Sequence, residues 1–270
     1  MTPISVVIIS QNEAGFIGNT IKAAKTITDD IVVIDSGSTD ETMQIAVNLG
    51  CRFFQKTWEG YGFAKNFGVR LAKHDWILSL DADEIPDEEL LLQLKNLKSA
   101  NYQTVYDIRF KTFLGKKQIK FGKWGSDHHI RLFNRILFRW TYAPVHETLS
   151  ISKTTEIEQL KGYIHHYSAK NIEEFSSKSA LYANLSAKKY LEEGLSPRLI
   201  KMYFSAAFNF VKYYIFYLGF LDGKAGLQIA TITFKYTRQK YTLLHKLYKE
   251  KYREQDFKNI NLVTEIINYH

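Results

Sequence analysis

Between Ile4 and Lys98, four short apolar runs rich in β-branched residues alternate with four stretches of helical periodicity, and few folds accommodate that alternation. The runs are Ile4–Ser10, Ile31–Asp35, Cys51–Gln55 and Trp76–Leu80, and the helical stretches lie near Phe16–Lys25, Glu41–Leu49, Phe63–Ala72 and Asp87–Lys98. Strands separated by one helix each belong to a parallel sheet covered by helices. Ser38 or Asp40 is placed to cap the second helix, because either side chain can accept from exposed amides of a first turn. The expectation is an α/β fold with a mostly parallel sheet flanked by helices.

The period changes after residue 100. From Val105 to His166 the pattern is irregular and aromatic, with strand-like runs at Val105–Phe110, Ile130–Phe133 and Tyr163–His166. Three helical stretches follow, near Ile172–Glu193, Pro197–Tyr217 and Gly223–Glu250, and the tail beyond Lys251 receives no assignment. Two regions are therefore expected, 1–170 and 171–270. With 45% hydrophobic and 24% charged residues, the 270-residue chain can bury a substantial core. Its single cysteine, Cys51, excludes an internal disulfide and suits a reducing compartment. Met1 leads into Ile4–Ser10 without a basic leader or cleavage pattern, so a cytoplasmic location is expected.

In an open α/β sheet, ligands bind beyond the carboxyl ends of the strands. Three acidic loops meet that description: Ser10-Gln11-Asn12-Glu13, Asp35 to Asp40, and Asp81-Ala82-Asp83-Glu84. Each alone is ordinary turn chemistry, but three at the ends of one sheet point to a site. The third follows the apolar Trp76–Leu80, where unpaired carboxylates would repel one another unless a cation sat among them. Mg²⁺ or Mn²⁺ suits such oxygens and leaves room for phosphate. Zinc does not fit, because His128-His129, His146 and His165-His166 lack neighbouring cysteines and helical His-x-x-x-His spacing. Adjacent strand residues point to opposite faces, so at most one of His165 and His166 faces the site.

In order and spacing, Ser5–Glu13, Val33–Asp40 and Trp76–Glu84, with Lys65-Asn66 between them, resemble the family 2 glycosyltransferases. Arg131-Leu132-Phe133-Asn134-Arg135, Val145-His146-Glu147, His166-Tyr167 and Gly219–Gly223 are similar to the branch that builds lipopolysaccharide inner core. The resemblance implies a nucleotide-diphospho-sugar transferase (GT-A-like) fold and an inverting transfer from a nucleoside-diphosphate sugar to a saccharide or lipid-linked saccharide acceptor. It implies that Asp35 holds the nucleotide base with Ser10 and Asn12 beside it, and that Asp81 lies near ribose and metal. Asp83 would ligate Mg²⁺ or Mn²⁺, Lys65 would reach a phosphate, and His166 would be a further ligand or diphosphate contact. The family's usual acidic pair after the metal motif is missing, so Glu147 becomes the expected base, with His146 orienting the acceptor.

Residues 171–270 carry 15 Lys/Arg against 9 Asp/Glu, which is 15 − 9 = +6 of the net +8. Fourteen of the thirty-five Phe and Tyr residues fall between Tyr203 and Tyr252, interleaved with lysines. Such a region either packs helices together or lies on a membrane surface with its rings at headgroup depth, and both readings stay open. The expected setting is peripheral, at the inner face of the plasma membrane, and no nucleic-acid motif accompanies the basic surface. Two rival functions are a sugar-phosphate nucleotidyltransferase and a non-catalytic membrane-surface binding module. Against the first, the loop after strand one is acidic rather than glycine-rich and basic.

Overall fold

In the computed structural model, the structure describes residues 2–98, 101–142, 147–196 and 199–267. They fall into two compact units, Met1–Asn171 and Ile172–His270.

The first unit begins with β1 (Ile4–Ser10), α1 (Ile17–Ala24), β2 (Ile31–Asp35), α2 (Thr42–Asn48), β3 (Arg52–Gln55), α3 (Tyr61–Leu71) and β4 (Trp76–Asp81). It continues with β5 (Glu84–Pro86), α4 (Glu88–Lys95), β6 (Thr104–Leu114), β7 (Lys117–Ile119), β8 (His128–Asn134) and β9 (Glu156–Ala169). Among the described residues these nine strands form one sheet in the order β3-β2-β1-β4-β8-β6-β9-β5, with β7 paired to β6. The β3-β2-β1-β4 half is parallel, as the alternation requires, while β8 runs antiparallel to both β4 and β6.

Side chains of β1 alternate between two cores. Val6 and Ile8 join Ile17, Ile21, Ala46 and Leu90 under α1, α2 and α4, whereas Val7 and Ile9 join Ala64 and Val69 under α3. Each fully buried Val, Leu or Ile contributes about 1.5–3 kcal/mol, so this sandwich supplies most of the unit's stability. Gly68 lets α3 settle on the sheet, since a Cβ there would collide with Val7 Cγ1. Asp40 accepts from the Thr42 backbone N–H at 3.0 Å, which satisfies an orphan amide at the start of α2.

Strands β6 and β9 extend well beyond the apolar runs that announce them, to 11 and 14 residues. Their polar positions include the buried Asp107 and the more accessible Arg109, Lys111, Glu156 and Glu158, so only alternate residues are apolar and a search for continuous runs misses them. Gly162, at φ +85°, lies where the β6–β9 register shifts, and its missing Cβ leaves room for the Leu90 backbone at the start of α4. Past that kink, β9 pairs with β5 and sets His166 opposite Glu84.

The second unit comprises α5 (Ile172–Glu192), α6 (Leu199–Val211), a π-helical turn at Lys212–Phe216, a 3₁₀ turn at Gly219–Asp222, and α7 (Lys224–Ile267). Both α5 and α6 pack on α7 through small buried residues, including Ala183, Ala187, Ala206 and Ala230. Helix α7 passes the expected stop at Glu250 because no Gly or Pro interrupts the sequence between Gly226 and Ile267. Among the described residues, no helix is long and apolar enough to cross a membrane.

Candidate functional site

Register brings the three acidic loops to one level. Ser10 pairs with Asp35 and Ile9 with Asp81, so β1, β2 and β4 end together. The first two loops are tied to each other. Asn12, in the left-handed region at φ 56°, accepts from the Thr39 N–H at 2.8 Å and donates its own N–H to Ser38 Oγ at 2.8 Å. Asp35 is buried and accepts four hydrogen bonds: from Ser10 Oγ at 2.9 Å, the Gly37 N–H at 2.9 Å, the Ser38 N–H at 2.7 Å and Ser38 Oγ at 2.5 Å. Four donors use the acceptor capacity of a carboxylate, so a ligand N–H at Asp35 displaces one of the serine hydroxyls. Both hydroxyls can rotate away.

At the end of β4 the neutralisation is ionic. Lys65, on α3, is only 1% exposed, and its Nζ lies 2.6 Å from Glu147 Oε1, 3.2 Å from Asp81 Oδ1 and 4.9 Å from the centre of the Trp140 ring. Its neighbour Asn66 grips Trp140 in both directions: Nδ2 donates to the Trp140 carbonyl at 2.9 Å, and Oδ1 accepts the Trp140 N–H at 3.1 Å. The bridge between Trp140 and Leu149 then carries Glu147 to the lysine. Arg131, from β8, is buried against Glu84, and its Nη2 lies 3.4 Å from Asp81 Oδ2. The carboxylates after β4 are therefore not unpaired, as the sequence suggested: two protein cations already stand among them. Burial pushes the Asp81 carboxyl up, but Lys65, Arg131 and His166 outweigh it and leave it well below the ordinary carboxylate range. For Arg131, burial acts to lower the guanidinium, and Glu84 and Asp81 overcome that and hold it cationic.

Asp83 faces the imidazole expected of it. His166 Nε2 stands 3.6 Å from Asp83 Oδ2, while His165 turns toward Phe113 with ring centres 5.6 Å apart. Among the described residues no group of three or more His, Cys, Asp or Glu side chains converges as a complete metal cage. The carboxylate of Asp83 and the imidazole of His166 are donors that would suit a Mg²⁺ or Mn²⁺ ion, though only as part of its shell. His146 lies outside the described residues.

The sequence did not single out Arg131 as a site residue, nor the pair Asp127 and His129, whose Oδ1 and Nε2 are 3.1 Å apart. Burial raises the Asp127 carboxyl, but the bond from His129 and the charges of His129, His166 and Arg131 bring it below its usual value. Asp127 therefore belongs to the same electrostatic neighbourhood as Asp83. The motif around Arg131 was visible, but its pairing with Glu84 across 47 positions was not. A cavity of about 900 Å³ lined by Lys73, His74, Asp75 and Tyr102 opens at the amino ends of β1 and β4, remote from these groups.

The profile of glycosyl transferase family 2 matches residues 5–154, more than half of the chain. An uncharacterised glycosyltransferase of Rickettsia typhi is 29% identical over 100% of this chain and 94% of its own length. The lipopolysaccharide core biosynthesis glycosyltransferase LpsC of Rhizobium meliloti is 27% identical over 89% of this chain and 94% of its own. Among solved structures, S. aureus TarS 1-349 aligns over 93% of this chain and 92% of its own at 15% identity, with a TM-score of 0.43. The expected α/β class holds: a mixed sheet, parallel where the acidic loops emerge, flanked by helices and followed by a helical extension. By its profile match and its full-length relatives, the chain belongs to glycosyl transferase family 2.

Proposed function

We propose that the chain is an inverting glycosyltransferase that moves a hexose from a nucleoside-diphosphate sugar to a hydroxyl of a lipid-linked envelope saccharide of the lipopolysaccharide-core kind. Residues 1–170 form its donor-binding catalytic region, and 171–270 a basic-aromatic extension at the cytoplasmic face of the membrane. One observation carries this reading: Asp35, Asp81 and Asp83 stand at adjoining strand ends, with Lys65, Glu147 and His166 packed against the second and third. The name of the R. meliloti relative supports the acceptor class.

Asp35 takes the nucleotide base, exchanging a serine hydroxyl for a base N–H, while Ser10 and Asn12 hold the loop around it. Asp83 and His166 would hold the divalent ion, with Asp81 on the ribose side. When bound, that ion offsets negative charge growing on the departing diphosphate. The acceptor hydroxyl loses its proton to Glu147 as its oxygen bonds to the anomeric carbon, and the bond from that carbon to the diphosphate oxygen breaks on the opposite face. Configuration inverts. Lys65 holds Glu147 in place for the transfer.

A second assignment for the base is Asp127, in the neighbourhood of His166 and Arg131. Asp127 is bonded to a histidine rather than to a permanent cation. Turnover of a panel of nucleoside-diphosphate sugars with Mn²⁺, Mg²⁺ or chelator tests both levels when run on wild type, Glu147→Gln and Asp127→Asn. Full activity in chelator contradicts the role of Asp83. General-base removal lowers kcat by about 10²–10⁴-fold, so whichever variant falls that far identifies the base.

A further inference from the structure

The connection from α6 to α7 exposes apolar side chains where a helical unit ordinarily hides them. Phe204 is 73% exposed, Phe208 62%, Phe216 71% and Leu221 54%, and Tyr203, Val211, Ile215, Tyr217, Leu218 and Phe220 are exposed as well. They form a run around one chain reversal rather than a scatter of isolated surface residues, and a contiguous apolar patch marks an interaction surface.

The reversal is a built feature. Helix α6 ends in the π-helical turn, Leu218 holds a left-handed conformation at φ 57°, and Gly219 and Gly226 approach so closely that a Cβ at Gly226 would collide with the Gly219 carbonyl. A leucine in that conformation is held there by its surroundings at an energetic cost, and such positions cluster at functional segments. The residues that do pack inside the unit are others: Ala206, Ile229, Ile232 and Leu244 are buried.

The charges decide what covers this surface. Between Tyr203 and Leu227 the charged residues are Lys212, Asp222 and Lys224; Asp222 is buried, so the charge presented outward is positive. Lys212 Nζ lies 5.3 Å from the centre of the Tyr213 ring and 5.4 Å from that of Tyr217, an arrangement in which rings and ammonium share one depth. Two copies joined through this patch would oppose lysine to lysine, whereas anionic headgroups supply the missing charge. No described helix is long and apolar enough to span a bilayer, so the segment lies at the surface.

We propose that the outer face of α6 and the turn from Lys212 to Leu221 form an interfacial anchor that seats in the headgroup layer of an anionic membrane. The proposal rests on the lipid-linked acceptor reading above, which it deepens by naming the segment that meets the lipid. The test is co-sedimentation of the full chain with phosphatidylglycerol–phosphatidylethanolamine vesicles and with phosphatidylcholine vesicles. Wild type is expected in the pellet with the anionic vesicles, and a Phe204→Ser, Phe208→Ser, Phe216→Ser, Leu221→Ser variant should retain about a tenth of that binding or less. A Lys212→Gln, Lys224→Gln variant should lose about fivefold per lysine on anionic vesicles and little on phosphatidylcholine. Wild type remaining in the supernatant with anionic vesicles overturns the anchor, as does a serine variant that pellets like wild type. So does a wild-type dimer that the serine variant dissolves without any vesicle binding, because a second copy then covers the patch. Thermal shifts with nucleoside diphosphates separate the two readings. A normal shift with no vesicle binding sinks the anchor alone, and normal vesicle binding with no shift keeps the anchor and sinks the donor site.

Discussion

The two ends of the parallel sheet each set an aspartate beside a cation, yet they are built differently. At the amino end, Asp30 accepts from Ser5 Oγ at 2.5 Å, from the Lys73 N–H at 2.7 Å and from Arg52 Nη2 at 2.5 Å, and its side chain is fully buried. Those bonds tie the starts of β1, β2 and β3 to the turn before β4. At the carboxyl end, Asp81 keeps 33% of its side chain exposed, and its cations are shared with Glu84 and Glu147. A closed carboxylate that is satisfied on every side is a structural pin. An open one in a shared network can exchange partners when a ligand arrives, and that distinguishes a site from a brace.

Variants at the two ends should separate these roles. The largest effect belongs to Asp83→Ala, which should lower sugar transfer by more than about a thousandfold while moving the urea midpoint little, because the proposed role of Asp83 is to hold the ion rather than to brace the fold. Retained transfer would remove it from the site. Lys65→Met comes next: leaving Glu147 without its lysine and Asp81 with Arg131 alone should cost about 3 kcal/mol in denaturant unfolding, together with most of the activity. An unchanged midpoint would mean the lysine is not the keystone of that network.

Asp30→Asn should cost about 2 kcal/mol of stability with turnover per folded molecule unchanged, and lost turnover would break the contrast between the ends. Its acid dependence gives the smallest and most diagnostic signal. Burial raises Asp30, but Ser5, the Lys73 amide and Arg52 outweigh it and bring it below 3.8. A carboxyl lowered in the folded state adds stability that is complete above its unfolded pKa and is lost as pH falls through the folded value. Wild type should therefore lose thermal midpoint as pH falls below about 4, and Asp30→Asn should flatten that slope.

The strands and helices of the first hundred residues could be read almost to the residue, because β-branched runs, caps and glycines act within a turn or two of themselves. Strand β2 begins and ends where its apolar run does, at Ile31 and Asp35. The donors around Asp35 were not read, although three of its four hydrogen bonds come from within three positions: Ser38, expected as a helix cap, donates to Asp35 instead. Past residue 100 the signal weakened as strands became polar on alternate positions, so β6 and β9 were found but cut short and the short β7 was not seen; within the first hundred, the three-residue β5 was the strand missed.

Sequence alone determined the acidic loops, the four strands and four helices of the parallel half, and the basic-aromatic character of the last hundred residues. The tertiary structure decided which charges meet: Lys65 with Glu147 across 82 positions, and Arg131 with Glu84 across 47. It also decided which aromatics near Phe204 and Phe216 stay outside the helical core. Local pattern sets an element because its hydrogen bonds close within a few residues. An ion pair between distant residues depends on sheet register and helix packing, which no short stretch of sequence contains.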